Sequence, residues 1–127
     1  MTNWMAATAL AVALGSPYAA AAQESAQVGQ GKALYGQFCT QCHGADGKRG
    51  EGYHTPIWGP GSLIAKFETA QGLFEYHQML MPFNDPSLMT DEQKLAVVAY
   101  LLVNHGTIRP ADTLSPSNAP STAIKPP

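Results

Sequence analysis

The chain has 127 residues, 45% of them hydrophobic and 13% charged, with 7 basic against 9 acidic side chains and a formal net charge of −2. That length suits one small domain and excludes the two-domain, cleft-centred layout of most large enzymes. The charge balance excludes a nucleic-acid-binding face, which would have to be basic. Two cysteines are too few for the disulfide framework of a small secreted fold.

The first segment is apolar from Trp4 to Leu14, turns at Gly15-Ser16-Pro17, and reaches Ala20-Ala21-Ala22 before Gln23. Small residues at that point match a signal-peptidase site, so residues 1–22 are expected to be a signal peptide. No Lys or Arg precedes the apolar run, which leaves a buried helix and an uncleaved anchor as rival readings. The run is shorter than the ~20 residues a bilayer span needs. Export to the periplasm, with no membrane span after cleavage, is the expectation.

Next come the helices. Leu34, Tyr35 and Phe38 recur at helical spacing and predict a helix over 28–42. The stretch between Gly44 and Gly61 is rich in glycine, with Pro56 and Pro60, and reads as loop. A weaker helix is expected at 70–78. A firmer one runs from Asp91 to about Asn104, with Thr90 as its cap and Gln93 completing a capping box. Asp91 and Glu92 suit its positive end, Leu95, Val98, Leu101 and Leu102 supply its apolar face, and Gly106 stops it. Five prolines among Ser, Thr and Ala mark residues 107–127 as a flexible tail. The fold class is therefore all-α: a domain over 23–106 with three to four helices and loops. So small a core needs a staple.

Cys39-Thr40-Gln41-Cys42-His43 supplies one. C-x-x-C-H is the attachment signature of c-type haem. On a helix, positions i, i+3 and i+4 share a face. Both thiols can thus form thioethers to the haem vinyl groups while His43 turns towards the iron. A thioredoxin-like reading would need a βαβ context, and a zinc reading a second ligand pair. Neither is present at the required spacing.

With that motif in view, the sequence resembles a small class I, mono-haem cytochrome c over about 27–105. Gly31 and Tyr35 stand eight and four residues before Cys39, where the family has a Gly and an aromatic that pack against an aromatic of the last helix, here Tyr100. The resemblance implies one covalently bound haem c and a sixth iron ligand from a Met-Pro pair before the last helix. Met81-Pro82-Phe83 fits, and a Met/His iron has a raised reduction potential. Met79 and Met89 are rivals better read as core filler, and His77 would give a bis-His site of lower potential. The resemblance also implies that the carbonyl of Pro60 accepts from the ring N–H of His43. Trp58 either covers a haem edge or is simply a wall of the core. Leu63, Phe67, Phe83 and Leu101 would complete an apolar pocket. His54 and His105 read as surface or loop histidines.

The motifs Trp-Gly-Pro-x-Ser, Met-Pro-Phe and Ala-Tyr-Leu-Leu are similar to those of cytochrome domains that accompany periplasmic dehydrogenases. The expected function is that of an electron carrier rather than an enzyme, moving single electrons between a dehydrogenase donor and an oxidase or cytochrome acceptor. The alternative is a haem c electron-accepting subunit of a sulfur-compound or alcohol dehydrogenase complex. A third reading, a five-coordinate haem enzyme or gas sensor, would require Met81 to be off the iron. Lys48, Arg49 and Lys66 are either a basic rim for a partner or ordinary solvated charges.

Overall fold

The computed structural model describes Met1 and residues 23–127; the predicted signal peptide lies outside the described residues. Among the described residues four α-helices follow in order: α1 (Ala26–Phe38), α2 (Thr40–His43), α3 (Ala70–Leu80) and α4 (Asp91–His105). Three 3-10 turns, Ile64–Phe67, Pro86–Leu88 and Ala119–Ser121, join or follow them. Among the described residues there is no strand, only a single bridge between Thr69 and Ala123. No described helix is long and apolar enough to cross a membrane.

Capping explains where the helices begin. Ser25 accepts from the Val28 N–H at 3.2 Å, and Thr69 accepts from the Gly72 N–H at 3.2 Å. At α4 the capping box forms as expected: Gln93 N–H donates to Thr90 Oγ1 at 3.2 Å, and Thr90 N–H donates to Gln93 Oε1 at 2.9 Å. Gly106, at φ 82°, ends α4 in the left-handed conformation. The helix predicted over 28–42 is instead two. At Cys39 the backbone leaves regular helix (φ −116°), and α2 follows at once, with the Thr40 hydroxyl donating to the Gly36 carbonyl at 3.1 Å.

The core is the contact of α1 with α4. A Cβ on Gly31 would stand 2.0 Å from the Ala96 carbonyl oxygen, so only glycine lets the two backbones approach this closely. Val28, Leu34 and Tyr35 complete the buried face of α1. From Lys94 to Ala99 every residue of α4 is buried, and Leu101, Leu102 and His105 follow. The helix is covered on several sides, by α1, by α3 and by the chain end.

Residues 107–127 are not a free tail. Leu114, Ala119 and Ile124 are all buried. Backbone bonds tie the segment to the starts of two helices: Ser25 N–H to Pro110 O at 2.9 Å, Ala70 N–H to Thr122 O at 2.9 Å, and Ile124 N–H to Glu68 O at 2.8 Å. The Gln27 amide pairs with both the N–H and the C=O of Leu114. Composition undervalued this segment for a physical reason. Its prolines pre-set the backbone and lower the entropy lost on ordering, and three well-spaced apolar side chains then suffice.

Candidate functional site

α1 and α3 both start beside the C-terminal segment and both end at a cavity of about 600 Å³. That volume lies within the roughly 300–1,000 Å³ usual for cofactor and ligand sites. Cys39, Cys42 and His43 form one wall; Leu73, Tyr76 and His77 of α3, then Met81 and Phe83, form another; Val97 and Leu101 of α4 close the back. The expected apolar residues Leu63, Phe67, Phe83 and Leu101 all line the cavity, with Leu63 and Phe83 exposed at its rim. Lys66 is also at the rim, whereas Lys48 and Arg49 are exposed and do not line it.

Both cysteines are free thiols. Burial, reinforced by the neighbouring Cys42, pushes the Cys39 thiol up to about 12. Dithiol redox chemistry depends on a lowered thiol pKa, so this environment opposes it. Nor, among the described residues, do three or more His, Cys, Asp or Glu side chains converge in the manner of a zinc site.

His43 is the last residue of α2. Burial lowers its pKa and favours neutral imidazole, the form that binds metal. Its ring meets Tyr53 edge-on, centroids 5.3 Å apart. The Tyr53 loop is pinned to α2 because Tyr53 N–H donates to Cys42 O at 2.9 Å. No local pattern marked Tyr53, an aromatic isolated in a glycine-rich loop. His43 Nδ1 is buried without any hydrogen-bond partner.

The expected bond from that nitrogen to the Pro60 carbonyl is therefore not made. Pro60 is exposed, and the neighbouring Gly59 N–H donates to His105 Nδ1 at 2.9 Å, holding the loop towards the end of α4. His105 is correspondingly buried, contrary to the surface position expected of it. Its Nε2 lies 2.8 Å from the Lys125 carbonyl. Since Nδ1 accepts from an N–H and Nε2 faces a carbonyl, the proton is on Nε2.

Trp58 is buried but does not line the cavity. It packs on Tyr35 (5.3 Å) and edge-on to Tyr100 (5.9 Å), and a Cβ on Gly47 would fall onto its ring, so it is a wall of the core one layer behind. Tyr35 stands between, donating its hydroxyl to the Gly44 carbonyl at 2.6 Å and so bracing α1 against the start of the loop.

Met81 follows α3 in extended conformation, half-buried at the cavity. Met79 is 67% exposed and off the cavity; Met89 is buried on its wall. His77, one turn before Met81, is buried with Nδ1 2.9 Å from the Leu73 carbonyl. Desolvation, with the charges of His43 and Lys94 also opposing protonation, pushes its pKa down to about 4. Lys94 itself is buried, its Nζ donating to the Gln78 carbonyl at 3.2 Å in the last turn of α3, where a cation offsets the helix dipole.

Residues 26–101 match a family described as cytochrome c oxidase, cbb3-type, subunit III. The chain belongs to this cytochrome c family. No curated protein matches it. Among solved structures it is similar to a chain of the sulfane dehydrogenase SoxCD from Paracoccus pantotrophus, with a TM-score of 0.66 and 20% identity over 76% of this chain and 52% of that one. It thus spans about half the length of the chain it resembles, and the likeness is one of fold.

A cytochrome c of this family holds covalently bound haem c, and the residues present fit that group. The cavity is of cofactor size and mostly apolar, two cysteine thiols share one wall, and an imidazole that burial keeps neutral stands beside them. The protein is a mono-haem, class I electron-transfer cytochrome.

Proposed function

We propose that this chain is an exported single-electron carrier. In this reading the haem is attached through Cys39 and Cys42 and its iron is held between His43 and Met81. The observation that carries the reading is the convergence of these four side chains on one apolar cavity. When bound, haem supplies one-electron chemistry between ferric and ferrous states. The chain's own residues do the rest. His43, kept neutral by burial, offers a lone pair; Met81 offers a soft, uncharged thioether that favours the reduced state. Leu73, Val97 and Leu101 exclude water from the interior, while Leu63 and Phe83 leave an edge near the surface for electrons to pass.

The donor is a periplasmic dehydrogenase and the acceptor a further cytochrome or an oxidase. Export is supported by the small-residue run before Gln23, together with a cofactor whose covalent attachment takes place outside the cytoplasm. The second reading, a subunit fixed to a sulfur-compound or alcohol dehydrogenase, is favoured by the fold shared with a SoxCD chain. Exporting the protein from a haem-attaching host and recording its ferric spectrum tests the ligand set. A weak far-red sulfur-to-iron band that disappears in Met81→Ala supports the carrier. A wild-type ferrous form that binds carbon monoxide at once overturns it in favour of an open site. Pull-down from the native host separates the two carrier readings, since only the subunit co-purifies in stoichiometric amount with a dehydrogenase.

A further inference from the structure

α3 brings a second iron-binding group to the cavity. His77 and Met81 are one helical turn apart, and both line the cavity with His43. The Leu73 carbonyl can only accept, so the hydrogen bond at 2.9 Å puts the His77 proton on Nδ1 and leaves the Nε2 lone pair free. Metal-bound imidazoles are held in this way: one ring nitrogen donates to a carbonyl, which fixes tautomer and ring orientation, and the other faces the metal.

The bond to Leu73 is the only hydrogen bond of this imidazole among the described residues, although the residue is 7% exposed. An alkyl side chain would fill the same place without burying a polar ring. His77 sits inside α3, whereas Met81 lies just past its end, in extended backbone leading into the turn at Pro82. Of the two, His77 has both neighbours in helix, while Met81 is held to α3 only through its N–H bond to the His77 carbonyl.

We infer that His77 is a reserve axial ligand, whose Nε2 takes the sixth position on the iron whenever the Met81 thioether leaves it. The inference rests on the proposed His43/Met81 site. In the exchange the bond from Met81 Sδ breaks and one from His77 Nε2 forms. Both donors are neutral and the lone pair is already free, so no proton or electron is transferred. Losing the thioether from a Met/His pair lowers the potential, and the site stays closed to external ligands.

The test uses the holoprotein and its Met81→Ala, His77→Leu and doubly substituted forms, read by ferric absorption, electron paramagnetic resonance and carbon monoxide binding. Expected is that Met81→Ala loses the sulfur-to-iron band yet stays low-spin, and its ferrous form still excludes carbon monoxide. Adding His77→Leu then turns the ferric form high-spin and opens the ferrous form. Should that pair fail to accumulate, Met81→Ala with His77→Gln keeps a group able to bond Leu73 but has no imidazole, and the same opening is expected. If Met81→Ala alone is already high-spin and binds carbon monoxide, the reserve-ligand inference is overturned while the His43/Met81 reading stands. If the wild type lacks the sulfur band and His77→Leu alone opens the site, His77 is the resident ligand, and both are overturned.

Discussion

His105 shows how much one side chain can organise. It joins the Gly59 amide, the end of α4 and the Lys125 carbonyl, three points distant in sequence. Replacing it with Leu removes two hydrogen bonds and strands a donor and an acceptor. Both bonds are part-buried, so at roughly 0.5–1.5 kcal/mol net per hydrogen bond the expected cost is about 1–3 kcal/mol, read from the urea midpoint. His77 gives a pH dependence. Its pKa of about 4 in the folded state is below the ordinary histidine value of 6.5, so the unfolded chain binds the extra proton first. Its contribution to stability is complete above pH 6.5 and is lost as pH falls through about 4. A pH titration of unfolding free energy in wild type and His77→Leu should show a shallower acid slope in the variant between those limits; parallel slopes would remove His77 as the cause. Residue roles of this kind divide sharply in legibility. The spacing Cys39-x-x-Cys42-His43 is set by covalent chemistry and is visible in the string. The partners of His105 are 46 and 20 residues away and no local pattern announces them.

Among the elements, the α1–α4 contact is the most exacting. Gly31→Ala puts a methyl group against the Ala96 carbonyl oxygen. Overpacking of this kind costs about 1–3 kcal/mol, and more where the obstacle is backbone. The clash is with main chain, so Ala96→Gly should fail to rescue the variant; a restored melting temperature in the double variant would show that side chains set the approach. Thr90→Ala removes a working cap from α4 and should cost about 1 kcal/mol by denaturant unfolding. Both ends of α4 were readable, because capping box and left-handed glycine act within four residues. The break at Cys39 was not: a helix-forming sequence runs through it, and the bonds that the following loop makes back to α2, such as Tyr53 N–H to the Cys42 carbonyl, span about ten residues.

For the molecule as a whole, the segment after Gly106 decides whether the described fold is closed. Truncation there removes the buried side chains of Leu114, Ala119 and Ile124 and uncovers the surfaces beneath them. At about 1.5–3 kcal/mol for a large aliphatic side chain, the loss is of the order of 4 kcal/mol. A marked fall in melting temperature is expected, and an unchanged one would restore the flexible-tail reading. Composition misjudged this segment because it averages over residues, while three anchors and a few backbone bonds are enough to dock it. The arrangement also separates the molecule into two poles. One holds the starts of α1 and α3 under the C-terminal segment; the other holds their ends around the cavity. Solvent isotope uptake should therefore divide along the same line. Without haem, the amides of Ser25, Ala70 and Ile124 should keep slow exchange while those of Gly50 and Tyr53 quicken, so that an unloaded chain already owns half of its final order.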